Sequence, residues 1–439
     1  MSQEPSELTQ LDAPIKFEAF PNDSENSYFI DGKWITLSAG QIEAVEAIEQ
    51  GHNVFLTGEP GTGKSVVTKV LRKLAKKWDK SVAFLAPTGI AALQIGGSTI
   101  HRFFKFPTKP LAPDFGDAFG KSYRMRDLMA ATDIIVLDEG SMIRSDMFTA
   151  IYRTCQAAAG NLKPFGGKQV IVVADFFQLP AVVEDPNLYP WLNMLFGGVM
   201  CCHTQAWNAA NFKMIGLTQN QRQKGDTAFA EALQLVRMSD PLGLTKINQM
   251  VEISNELKGT VITFTNDTAR YINDKRLREI DRPAFTYTAE KSKYAVAPVD
   301  AEIQLKVGAR VMLMVNAEGY VNGDLGEVKG LYRDSVEVQL DRGPLVKVEP
   351  YTWEQKEYQV NGKELMEVAT GGFTQIPVKL GWAITAHKSQ GQTLDHVTLP
   401  MDTRPFERGQ LYVALSRVRS AASLTLGRPL DPLDIGVSV

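Results

Sequence analysis

The eight residues Gly58-Glu59-Pro60-Gly61-Thr62-Gly63-Lys64-Ser65 constrain the fold more than any other feature of the chain. They fit G-x-x-x-x-G-K-[ST] and stand between an apolar run ending at Thr57 and a helical segment from Ser65 to Trp78. Gly58, Gly61 and Gly63 let successive backbone N–H groups turn inward, and Thr62 supplies one more of those amides. The helix N-terminus adds partial positive charge, so the loop cradles a polyphosphate. Lys64 reaches the terminal phosphates and the Ser65 hydroxyl ligates Mg²⁺, which implies ATP and Mg²⁺ as cofactors.

A loop of this kind needs a parallel sheet behind it. Short β-branched runs at Asn53–Thr57, Val82–Ala86, Ile134–Leu137 and Gln169–Ala174 alternate with helical stretches, which predicts a doubly wound α/β lobe over 35–205. Further apolar runs at Val261–Phe264, Val397–Pro400 and Leu424–Leu426 predict a second α/β lobe over 206–283 and 370–439. Between them, over 284–369, the pattern turns to period two, as in Leu305, Val307, Ala309, Val311 and Leu313, or Val336, Val338 and Leu340. That reads as a small β-barrel inserted in the second lobe, with Asn322-Gly323-Asp324 as a tight turn between strands. Residues 1–34 are rich in Ser, Glu, Asp, Pro and Asn and read as a flexible extension.

The strand Ile134–Leu137 ends in Asp138 and Glu139, where Asp138 can hold the metal shell and Glu139 can polarise an attacking water. Gln178 follows the run Gln169–Ala174, placing an amide at the carboxyl edge of the sheet, either to sense a γ-phosphate or to cap a turn. Gln41 precedes the loop strand and can read an adenine edge with its paired donor and acceptor, or lie on a helix surface.

With 439 residues and 44% hydrophobic content, the chain can bury more than one core. Its formal net charge is −3, so a polyanion would have to be held by a locally basic groove instead of a whole-molecule field. No run of about eighteen apolar residues is present, so no membrane is expected and the chain reads as cytoplasmic, with a nuclear or organellar setting open. Cys155, Cys201 and Cys202 form no disulfide framework, and Cys201-Cys202-His203 lacks the second ligand pair of a zinc site.

Taken together these residues resemble the RecD-like branch of superfamily one helicases, and within it the Pif (petite integration frequency) type. The resemblance runs collinearly from about Leu37 to Leu426. It passes through Ala86-Pro87-Thr88-Gly89-Ile90-Ala91-Ala92, Gly97-Ser98-Thr99-Ile100-His101, Pro164-Phe165-Gly166-Gly167 and Asp175-Phe176-Phe177-Gln178-Leu179-Pro180. It continues in Asn220-Gln221-Arg222-Gln223, Asn322-Gly323-Asp324-Leu325-Gly326, Thr385-Ala386-His387-Lys388-Ser389-Gln390-Gly391-Gln392-Thr393 and Tyr412-Val413-Ala414-Leu415-Ser416-Arg417. Two residues depart from the pattern: Gly140 where an aliphatic residue is usual, and Ala174 where a glycine is usual.

The resemblance implies two RecA-like lobes with an SH3-like insert, and an ATP site made by Lys64, Ser65, Asp138, Glu139 and Gln178 facing second-lobe arginines at Arg222 and Arg417. A guanidinium that arrives only when the lobes close would tie hydrolysis to lobe motion. It implies single-stranded DNA as track, gripped by Thr88, Gly89, His101 and Phe103 in the first lobe and Thr385, His387 and Lys388 in the second. Phe103 beside Phe104 reads equally as core. It places a duplex-splitting wedge at about 102–125, with Phe115 as the splitting ring or as an anchor of its loop. The expected activity is a 5′ to 3′ monomeric motor on forked or tailed duplex, working with replication or recombination proteins. A phosphate-loop switch or kinase without a track is the competing reading.

Overall fold

The computed structural model describes residues 26–435 except 31–32, 182, 184, 219–224, 293–294, 296, 362–363 and 391. The first lobe is built on a six-stranded parallel sheet, in spatial order Ser98–Thr99, Val82–Ala86, Ile134–Leu137, Gln169–Val173, Val54–Gly58 and Lys213–Leu217. The continuous apolar runs follow from burial on both faces. Val54, Leu56, Val136 and Ile171 join one core cluster with the helices Ala39–Glu49 and Lys64–Lys77. Phe55, Leu137 and Val172 join another with the helix Ser145–Ala159. Period two is therefore present, but both sides are apolar.

The edge strand Lys213–Leu217 pairs with Val54–Gly58, and Trp207 packs against Phe55 and Phe148. The first lobe thus extends to Leu217, past the expected boundary at 205. Part of the expected extension is folded instead. Ser27–Ile30 and Lys33–Thr36 form an antiparallel hairpin whose Ile30, with Leu37, packs on Val70 and Leu74. Residues 1–25 lie outside the described residues.

The second lobe has a five-stranded parallel sheet, ordered Ala383–Thr385, Thr260–Thr263, Val397–Leu399, Leu424–Leu426 and Glu252–Ile253. Between its first and later strands lies an antiparallel insert of Leu345–Val348, Ser335–Leu340, Leu325–Tyr332, Arg310–Leu313 and Val378–Leu380, accompanied by the pair Phe285–Thr288 and Glu302–Leu305. The run Leu305–Leu313 is two strands, because Gly308 at φ +92° turns the chain between them. Asn322-Gly323-Asp324 closes a longer connection between Leu313 and Leu325, with the Leu313 N–H donating to the Asp324 carbonyl at 2.8 Å.

The insert ends beyond the expected 369, which falls inside the strand Glu364–Gln375. That strand pairs with Tyr351–Asn361 in a long hairpin, and the hairpin reaches the first lobe. There Tyr358 is buried beside Phe103, its hydroxyl accepting from the Phe84 N–H at 2.9 Å and donating to Glu367 Oε1 at 3.0 Å. Arg72 meets the same Glu367 oxygen at 2.9 Å. Among the described residues no helix is long and apolar enough to cross a membrane, and no cluster of three or more His, Cys, Asp or Glu is arranged to hold a metal.

Candidate functional site

The strand Val54–Gly58 delivers the chain to the phosphate loop, and the helix Lys64–Lys77 carries it away. Gly58 allows a close approach that any side chain would block, since a Cβ there would lie 2.6 Å from the Leu217 carbonyl and 2.7 Å from Thr62 Oγ1. Gly61 and Gly63 take φ of +85° and +88°. Thr62 ties the loop by donating to the Glu59 carbonyl at 2.9 Å. Lys64 Nζ donates to the Gly58 and Glu59 carbonyls at 2.6 and 3.0 Å. Burial pulls its pKa down, while Asp175, Glu139 and Asp138 pull the other way. Ser65 is exposed on the first helical turn.

Gln41 is buried in a capping box at the start of Ala39–Glu49, its Oε1 accepting from the Ser38 N–H at 2.8 Å. Its Nε2 donates to the Gly63 carbonyl at 3.1 Å. Both ends of the amide that was expected to read an adenine are thus engaged within the chain, and they brace the loop.

At the end of Ile134–Leu137, Glu139 adopts the left-handed conformation at φ 51° and donates its N–H to Asp138 Oδ1 at 2.9 Å. Burial raises the Asp138 carboxyl. Burial, then the charge of Asp138, lifts Glu139 to about 7, opposed by Lys64 and Arg417. Glu139 Oε2 accepts from Gln390 Nε2 of the second lobe at 3.0 Å.

Gln178 is buried and donates from Nε2 to Asp175 Oδ2 at 3.1 Å. Asp175 Oδ1 in turn meets Arg237 Nη2 at 2.9 Å, and Arg237 belongs to the second lobe. Arg417 is fully buried. Its Nε donates to the Val413 carbonyl at 2.6 Å and its Nη1 to the Ser389 and Gln392 carbonyls at 3.1 and 3.3 Å. These bonds brace the segment that carries Ser389 and Gln392, and the charge of Arg417 favours the ionised form of Glu139 in the first lobe. Arg222 lies outside the described residues.

The expected strand contacts divide. Thr88 and Thr385 take matching places in the two lobes, each at the end of a sheet strand and each capping a short helix. Thr88 accepts from the Ala91 N–H at 3.2 Å, and Thr385 from the Lys388 N–H at 3.3 Å. Gly89 opens the first of those helices and Lys388 is exposed on the second. His387 Nε2 lies 3.3 Å from Glu407 Oε2. His101 is half-buried, and burial together with nearby Arg144 keeps it below the usual imidazole range. Phe103 is not a stacking platform: it is 2% exposed, with edge-on contacts to Phe104 and Tyr358 that leave no face for a base. Phe115 is half-buried, stacked on Phe119 at 5.4 Å and edge-on to Phe106 at 5.5 Å.

Three residues carry contacts that sequence reasoning left unassigned. Gln390 lies within the Thr385–Thr393 motif and Asp175 opens the Asp175–Pro180 motif, so position was the available signal. Arg237 ends an ordinary amphipathic helix and carries none.

A family model described as PIF1-like helicase matches residues 36–250. The ATP-dependent DNA helicase PIF1 of Xenopus laevis is 32% identical over 414 residues, 89% of this chain and 61% of that protein. The ATP-dependent DNA helicase Pif1 of Bdellovibrio bacteriovorus is 31% identical over 410 residues, 89% of this chain and 88% of that protein. Among solved structures, Bacteroides sp. Pif1 in complex with ADP-AlF4 superposes with a TM-score of 0.83 at 31% identity, covering 92% of this chain and 94% of that one. Bacteroides Pif1 bound to ssDNA gives 0.63 at the same identity, covering 92% and 95%. A fold of two RecA-like lobes, a phosphate loop facing paired carboxylates, and identity above 30% across most of a full relative lead to one assignment: the chain belongs to the PIF1-like helicase family.

Proposed function

We propose that the chain is an ATP-dependent DNA helicase that translocates 5′ to 3′ on single-stranded DNA and unwinds forked or tailed duplex in replication, recombination or repair. The observation that carries this reading is that the nucleotide-facing residues are contacted from both lobes: Glu139 by Gln390 at 3.0 Å and Asp175 by Arg237 at 2.9 Å. A site finished by a second lobe senses lobe motion, and lobe motion is what moves a strand.

The residues suit ATP with Mg²⁺. The glycine-shaped loop leaves amides and Lys64 for phosphate, and Ser65 with Asp138 supplies the hard oxygen donors that Mg²⁺ takes. When bound, the ion neutralises charge on the transferring phosphoryl group. Glu139 orients the attacking water and is placed to take its proton. Gln178 faces the γ-phosphate, and Arg417, with Arg222, supplies the second lobe's positive charge. Thr88, Gly89 and His101 and, across the cleft, Thr385, His387 and Lys388 hold the strand through amides, hydroxyls and charge, a contact set that ignores sequence.

The segment around 102–125 acts as the wedge. Opening a base-pair step costs about 1.4 kcal/mol, and one stacked base returns roughly 1 to 3 kcal/mol, so a single ring offsets most of the cost. A motor of this kind works in the compartment that holds its DNA, which for a bacterial or phage protein is the cytoplasm.

The deciding experiment is unwinding of duplexes carrying a 5′ or a 3′ single-stranded tail, at fixed salt because phosphate contacts are salt-sensitive. Unwinding from the 5′ tail alone is expected, and unwinding from the 3′ tail alone overturns the polarity. ATP hydrolysis indifferent to single-stranded DNA would favour a phosphate-loop switch or kinase.

A further inference from the structure

Arg237 is the last residue of the helix Thr227–Arg237, which is fixed in the second-lobe core by Phe229, Ala232, Leu233 and Val236. Its guanidinium nevertheless serves the first lobe. Nη2 lies 2.9 Å from Asp175 Oδ1, and the guanidinium carbon sits 4.3 Å from the centre of the Phe177 ring. Asp175 is also the strongest of the charges that favour protonated Lys64.

The Asp175 carboxylate is 1% exposed and has three donors around it: Arg237 Nη2 and the Phe177 N–H at 3.2 Å on Oδ1, and Gln178 Nε2 at 3.1 Å on Oδ2. A carboxylate so buried needs its countercharge, and with both oxygens engaged it cannot turn without breaking a bond. The orientation of the Gln178 amide therefore depends on a cation supplied by the other lobe. Gly409 of the second lobe closes over the same turn, where a Cβ would lie 2.9 Å from the Gln178 and Phe177 carbonyl oxygens.

We infer that Arg237 is a positioning residue of the ATP site, which holds Gln178 in place through Asp175 and so makes the first lobe's γ-phosphate sensor dependent on closure of the second. Parting of the lobes withdraws Arg237, removes its bond to Asp175 Oδ1 and so loosens the carboxylate that holds Gln178. The inference rests on the ATP-hydrolysing reading above.

The test is steady-state ATP hydrolysis by the full chain with saturating oligo(dT), for wild type, Arg237→Gln, Gln178→Ala and the double variant. Wild type without single-strand-stimulated hydrolysis would defeat the underlying reading before the inference is reached. With wild type active, Arg237→Gln is expected to lower kcat about tenfold while KM for ATP stays within about twofold. On the Gln178→Ala background the same change should cost less than about twofold, because the residue it acts through is gone. Equal losses on both backgrounds, an unchanged kcat, or a rise in KM alone each overturn the inference. Should Arg237→Gln fold poorly, Arg237→Lys carries the same comparison. It keeps the charge but loses the planar fork, and its smaller loss must likewise vanish on the Gln178→Ala background.

Discussion

Gly140 and Ala174 face each other across the end of the first sheet: a Cβ on Gly140 would lie 3.1 Å from the Ala174 Cβ and 2.6 Å from Val172 Cγ1. The two departures from the resembled pattern are therefore neighbours, a methyl gained at one position occupying space given up at the other. Gly140→Ala alone overpacks this contact, at a cost of about 1–3 kcal/mol. Ala174→Gly in the same chain should recover part of it, giving a coupling of at least about 0.5 kcal/mol in denaturant unfolding of the four proteins. Strictly additive losses would show that the pair does not exchange space.

Glu139 is held from the second lobe by Gln390, so truncating that donor should slow hydrolysis without touching the phosphate loop. A hydrogen bond to a charged group is worth about 1.5–3 kcal/mol. At about 1.4 kcal/mol per decade, Gln390→Leu should lower kcat between about tenfold and a hundredfold. Single-strand binding without nucleotide should be unchanged, as measured by fluorescence anisotropy with a labelled oligonucleotide. A wild-type kcat in the variant would mean that Glu139 is positioned by its own backbone alone.

Among the described residues Lys64 hydrogen-bonds to the Gly58 and Glu59 carbonyls, both within the loop. Lys64→Ala is expected to abolish ATP hydrolysis and unwinding while single-stranded DNA is still bound. Loss of strand binding as well would assign the lysine a part in maintaining the fold.

What could be read from the chain follows from where the physical signal is local. The strands Val82–Ala86 and Ile134–Leu137 lie where their apolar runs predicted them, because burial on both faces leaves no polar residue to blur the ends. Lys213–Leu217 was not legible as part of the first lobe: an edge strand with Lys213, Met214 and Gly216 exposed has no continuous apolar run. The two readings of Phe103 stayed level in the sequence because the residue that covers it, Tyr358, lies in a hairpin of the insert, and only the folded chain brings the two rings to 5.4 Å. Arg237 stayed hidden for the same reason, since its partner Asp175 is distant in sequence and belongs to the other lobe.

Phe115 packs towards Phe106 and Phe119, so its ring holds the 102–125 segment down even where it also meets a base. Phe115→Ala removes that packing far from the nucleotide residues. Unwinding of a tailed duplex should fall severalfold while single-strand-stimulated ATP hydrolysis survives. Equal loss of both activities would remove the segment from any part in splitting the duplex.

The hairpin that reaches the first lobe is fastened at Glu367, whose burial opposes ionisation but whose contacts prevail. Arg72 at 2.9 Å, Lys356 at 3.3 Å and the Tyr358 hydroxyl at 3.0 Å hold the carboxyl below its ordinary value of 4.5. A carboxylate whose pKa is depressed by folding contributes stability that is present above its unfolded value and is lost as pH falls through the folded one. Docking of residues 351–375 should therefore weaken on acidification below about 4.5, and raising the pH above neutrality should not strengthen it further. Amide exchange of this hairpin, corrected for the intrinsic rate at each pH, reads the change directly. In Glu367→Gln the hairpin should be less protected at neutral pH, and its remaining protection should no longer fall through that acid window. An acid response of equal size in the variant would place the titrating group elsewhere.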